Sequence, residues 1–123
     1  MFQFLRGIVF IAAVMLNFAG AVFAEEKDYD SANAMIPVCR EAIKSTNAIN
    51  DPLRFLMQGN CMGIVAALHY FDKKLGLCMP NAVTNGQVMR VVLKYIDDRP
   101  ARMHENFMAL AFEALQAAWP CPK

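Results

Sequence analysis

The sequence lacks the patterns that carry most enzyme chemistry. It contains no H-E-x-x-H, no G-x-S-x-G and no phosphate-cradling glycine loop. Zinc peptidase, serine hydrolase and P-loop chemistry are therefore without their equipment. Histidine is scarce, at His69 and His104 only. His104 is followed directly by Glu105, and on a helix neighbours point about 100° apart, which is no acid–base pair. Both histidines read as surface or partly buried helix residues. An excess of one charge is missing too. Removing residues 1–24 takes away Arg6 and leaves 11 basic against 11 acidic residues. With no basic tail or stripe, a nucleic-acid partner has no electrostatic support. No C-x-x-C pair is present, although zinc sites favour such close pairs. Neither an internal repeat nor a low-complexity tract is found.

What is there begins with a leader. Residues 1–6 are short and basic, residues 7–18 are apolar apart from Asn17, and Val22, Phe23 and Ala24 suit a cleavage site. This is the layout of a secretory signal peptide cut after Ala24. The apolar core falls short of the ~20 residues a membrane span needs. No cysteine follows the cut, which argues against a lipid anchor. Residues 25–123 then form one small exported domain of 99 residues, with no membrane segment left after cleavage.

The rest is helical in pattern. Ser31 caps a first helix, with Ala32, Met35, Ile36, Cys39 and Ile43 on one face. Pro37 inside that pattern predicts a kink or a start near Ile36. Residues 45–51 read as a turn. Asp51-Pro52 opens a second helix running to about Asp72. Its inner face is Leu53, Met57, Asn60, Cys61, Ile64, Leu68 and Phe71. Gly59 and Gly63, followed by Ala66 and Ala67, predict close packing by another helix of the bundle. Residues 73–83 form an irregular loop with a free tip at residues 73–77. Thr84 and Gln87 make a capping box, and Val88, Val91, Val92 and Tyr95 form the face of a third helix. Residues 97–100 break it. Pro100 then starts a fourth helix, about six residues longer than the third, whose stripe is Met103, Phe107, Leu110, Ala111, Ala114 and Ala118. The fold class is all-α: a small bundle of about four helices in two hairpins.

All four cysteines, Cys39, Cys61, Cys78 and Cys121, lie in the exported part, which implies two disulfides rather than a metal site. The turn at residue 50 is the midpoint of Cys39 and Cys61. The break at residues 99–100 is the midpoint of Cys78 and Cys121. Folding each hairpin brings its own cysteines level, so the expected pairs are Cys39–Cys61 and Cys78–Cys121. Cys61–Cys78 is the alternative if the second helix ends early. Neither a catalytic site nor a cofactor or metal site is expected. An exported helical domain without such equipment works by its surface, as a binding, inhibitory, chaperone-like or structural protein.

Several stretches carry a resemblance. Cys61–Ala67 reads CMGIVAA, Cys78–Pro80 is C-x-P, VTNGQVMRVVLKYIDDRP follows from Val83, and Trp119–Cys121 closes as WPC. Together they resemble the Rap/Tai domain family, the periplasmic immunity proteins for type VI secretion amidase effectors. The resemblance covers residues 39–121. One departure is that the family's Gly-Tyr after the second cysteine is Gly63-Ile64 here. The family has another glycine later, and here Ala67 stands where a small residue is expected. The resemblance implies an all-α exported protein, often a homodimer, that binds and blocks a peptidoglycan-cleaving amidase and is not itself an enzyme. A small periplasmic chaperone or stress-related binding protein is the alternative. For an inhibitor, the expected partner-binding element is the disulfide-rooted loop Lys73, Lys74, Leu75, Gly76 and Leu77.

Overall fold

A computed structural model describes residues 28–44 and 51–122 of the chain. The leader, its cleavage site and most of the turn expected at residues 45–51 lie outside the described residues. Among the described residues four α-helices follow in order: α1 Ala32–Lys44, α2 Pro52–Tyr70, α3 Asn85–Asp97 and α4 Phe107–Ala118. A 3-10 turn at Pro100–Arg102 stands between α3 and α4. The all-α, two-hairpin reading holds: α1 packs on α2, α3 packs on α4, and α3 also lies against α1 and α2.

Helix α1 begins at Ala32 in spite of Pro37. Its first amides have no partner within the helix, and they find them elsewhere. Ser31 Oγ accepts from Ala34 N at 3.4 Å. Ala32 N donates to Glu105 O at 2.9 Å and Asn33 N to Met103 O at 2.8 Å. The start is thus held from outside by the α3–α4 connection, an arrangement invisible to local pattern. Asn33 and Pro37 share the exposed side of α1, where the proline ring removes the usual donor to the Asn33 carbonyl.

Helix α2 starts as read, with Asp51 Oδ1 accepting from Leu53 N at 3.0 Å and Pro52 in the first turn. Its buried face is narrower than expected. Cys61, Val65 and Leu68 are buried, whereas Leu53, Asn60 and Phe71 are exposed. The predicted close packing at Gly59 and Gly63 does not occur among the described residues. Both are exposed, and a Cβ built on either meets nothing within 4 Å.

In α3 the Thr84 half of the capping box forms, with Gln87 N donating to Oγ1 at 3.2 Å. The buried stripe is wider than read from the sequence, adding Met89, Leu93 and Ile96 to Val88 and Val92. This breadth is usual for a core-facing helix.

The long fourth helix does not form. Pro100 opens only the 3-10 turn. α4 starts at Phe107 behind Asn106, whose Oδ1 accepts from Ala109 N at 3.1 Å. Between them the chain turns its Met103 and Glu105 carbonyls toward α1. Helices α3 and α4 are therefore nearly equal, 13 and 12 residues, with no length difference to span. Both expected disulfides are present, Cys39–Cys61 and Cys78–Cys121, with Cα–Cα distances of 5.7 and 4.9 Å. The first lies in the core, where Cys39 and Cys61 are wholly buried among Met35, Val65, Val88 and Phe107.

Candidate functional site

The segment after α2 is a closed turn, not a free tip. Leu77 N donates to Asp72 O at 2.8 Å and Gly76 N to Lys73 O at 3.4 Å. Gly76 has φ +72°. These two bonds around a left-handed glycine are the geometry of a Schellman motif, here ending the extra helical turn that follows Tyr70. Asp72 Oδ1 also accepts from Lys73 N at 2.6 Å.

The base of the turn is anchored several times. Leu77, expected to offer an apolar contact, is instead completely buried in the core. It pairs with Pro120 in an isolated antiparallel bridge. Cys78 N donates to Trp119 O at 3.0 Å, beside the Cys78–Cys121 disulfide. Met79 is buried as well. Lys73 folds back, its Nζ 3.3 Å from Met79 O and 3.5 Å from Asp72 Oδ2. Lys74 and Leu75 are the residues left to project. Lys74 Nζ stands 5.9 Å from the centre of the Phe71 ring. The surface is thus a short rigid ledge offering one ammonium and one apolar side chain beside an aromatic ring.

Sequence reasoning missed a second built feature, the polar cluster on the α3–α4 connection. Arg102 Nε and Nη2 donate to Glu105 at 2.7 and 2.6 Å. Its Nη1 and Nη2 donate to Glu113 at 2.6 and 3.0 Å. Tyr95 donates its hydroxyl to Glu113 at 3.2 Å, and Arg99 stacks over the Tyr95 ring at 3.6 Å. Hydrogen bonds from Arg102 hold both carboxyls below the ordinary range, and hydrogen bonds from the two carboxylates hold the guanidinium proton more tightly still. The i,i+3 spacing of Arg102 and Glu105 was a usable signal, since a helical turn through these residues brings the two side chains together. Glu113 is brought in only by the fold.

The histidines stay apart from this cluster. His69 Nδ1 donates to Asn85 Oδ1 at 2.7 Å, tying α2 to the start of α3. His104 is exposed. Among the described residues, no three His, Cys, Asp or Glu side chains are grouped as a metal site. No helix among them is long and apolar enough to cross a membrane.

These features define a class: a small helical domain stapled by two disulfides. Residues 31–121 match the Rap1a immunity proteins, and the chain belongs to that family. The match spans all four helices and all four cysteines. It makes the chain an immunity protein, in a family that is generally non-enzymatic and works by binding an effector protein. No curated protein matches the chain.

Proposed function

We propose that the protein is exported to the periplasm, where it binds a peptidoglycan amidase delivered by type VI secretion and occludes its catalytic cleft. Membership of the Rap1a immunity proteins carries this reading. The leader at residues 1–24 supports export, and two disulfides suit an oxidising compartment. The ledge at Lys74 and Leu75 is the proposed contact. An element that enters a cleft loses less affinity when it is already ordered, and this one is ordered by its own hydrogen bonds, a buried leucine and a disulfide.

The test is protection. A periplasm-directed amidase of this effector class is co-expressed with the wild type or with Lys74→Glu/Leu75→Asp. Wild-type cells survive, and cells carrying the variant lyse although the variant accumulates folded and oxidised. Failure of the oxidised wild type to bind any such amidase would sink the reading. Protection by the variant equal to wild type would move the contact away from the ledge.

A further inference from the structure

The two disulfides sit in different surroundings. Cys39 and Cys61 expose no surface at all. Cys61 Sγ stands 3.7 Å from Met89 Sδ, a side chain that is itself fully buried. Cys78 and Cys121 are partly exposed, and Pro80, Pro120 and Pro122 near them are exposed. The difference bears on reactivity. A disulfide is opened by a thiolate that must reach one of its sulfurs, so access decides which link reacts. The inner link can be reached only after the bundle opens, and core elements open at a cost approaching that of global unfolding. The outer link needs no such opening.

We infer that Cys78–Cys121 is a thiol-exchange site of the folded protein, opened by dithiols while Cys39–Cys61 stays closed. One thiolate of the dithiol attacks a sulfur of the link. A mixed disulfide forms, and the other cysteine leaves as a thiolate and takes up a proton. The second thiolate of the dithiol then attacks the mixed disulfide and releases the remaining cysteine, which is protonated in its turn. The dithiol is oxidised by two electrons to its own disulfide, and Cys78 and Cys121 end as thiols.

The neighbourhood makes this opening local and reversible. Leu77 and Met79, on either side of Cys78, are buried in the core. Leu77 pairs with Pro120, and Cys78 N donates to Trp119 O at 3.0 Å. Trp119 N donates to Leu115 O at 2.9 Å, which ties this segment to α4. None of these contacts needs the sulfur–sulfur bond. They keep the two thiols near each other at high effective concentration, which favours re-closure over pairing with another chain. What opening removes is the covalent root of the Lys74–Leu75 ledge, so the redox state of the surroundings sets how firmly that root is held. The exchange does not depend on the ledge's proposed role, and its test contains no effector.

The oxidised chain is treated with dithiothreitol in native buffer, quenched with an alkylating reagent at intervals and mapped by peptide mass. Cys78 and Cys121 should be alkylated together, ~100-fold or more faster than Cys39 and Cys61. In denaturing guanidinium chloride the two links should react within about threefold of each other, since both are then accessible. The two-thiol form should keep its helicity by circular dichroism, and oxidised glutathione should return it to Cys78–Cys121 without other pairings. Amide exchange at Cys78 should rise on reduction, while that at Val92 in α3 should not. A reduced protein dithiol in place of dithiothreitol should give the same product; reaction with dithiothreitol alone assigns the site to small dithiols. Equal rates for the two links in native buffer overturn the inference, as does earlier loss of Cys39–Cys61 or a two-thiol form that unfolds. Unchanged exchange at Cys78 overturns the coupling to the ledge.

Discussion

Arg102 holds the α3–α4 connection, and through it the start of α1. Its guanidinium engages two carboxylates at once, and the carbonyls of Met103 and Glu105 accept from the first two amides of α1. Arg102→Ala should therefore raise hydrogen exchange at Ala32 and Asn33 more than in the middle of α3. Equal exchange at both places would remove Arg102 from this role. The same contacts predict a pH dependence. Glu105 and Glu113 have folded pKa values below the ordinary carboxylate range. Their contribution is present above the unfolded value of about 4.3 and is lost as pH falls through the lower folded values. Thermal melts from neutral pH to about 3 should fall more steeply below pH ~4.5 in the wild type than in Glu105→Gln/Glu113→Gln. Gly76 is a separate case. A side chain there has open space but a left-handed backbone, so Gly76→Ala should destabilise by about 1 kcal/mol on conformational grounds alone, measurable by urea unfolding.

Each hairpin carries one disulfide, with sequence separations of 22 and 43 residues. Loop-closure entropy assigns ~3.4 kcal/mol to the shorter link and ~4 to the longer one, and serine pairs at each should lower urea-unfolding stability by about those amounts. The hairpins were legible because cysteine spacing and turn residues report local geometry. Asp51-Pro52 and Thr84-x-x-Gln87 fixed two helix starts for the same reason. What was not legible depended on distant parts of the chain. Pro37 argued locally for a late α1, but Met103 and Glu105 supply the missing acceptors from more than sixty residues away. The α3–α4 connection carries a helical stripe at Met103, yet Asn106 and the pull of Glu113 on Arg102 end the pattern. At Gly59 and Gly63 the small-residue spacing argued for close packing by another helix of the bundle, whereas in the fold both face open space. For the ledge, the sequence offered Leu77 as a contact because apolar residues near a loop tip look available. Only the fold shows it spent in the core.

For the molecule as a whole, the proposed inhibitory ledge is the direct extension of helix α2. Helix α2 is fixed to α1 by the Cys39–Cys61 link in mid-helix. Its extension is fixed to the end of α4 by Leu77, Cys78 and their partners near Cys121. The two disulfides therefore have separable consequences. Removing Cys39–Cys61 lowers the stability of the bundle but leaves the ledge tied at its root. Removing Cys78–Cys121 lowers stability by a similar amount and also frees the chain ends that hold the ledge. If binding depends on a ledge ordered in advance, the second loss should reach the affinity for the amidase and the first should not. With both serine variants held at a low temperature where each is folded, Cys78→Ser/Cys121→Ser should weaken binding by ~10-fold, the cost of ordering one or two more side chains on association. Cys39→Ser/Cys61→Ser should bind within about twofold of wild type on the same argument. Calorimetric titration at that temperature reads both. Equal weakening in the two variants would mean that the disulfides serve only global stability and that the ledge needs no fixed root.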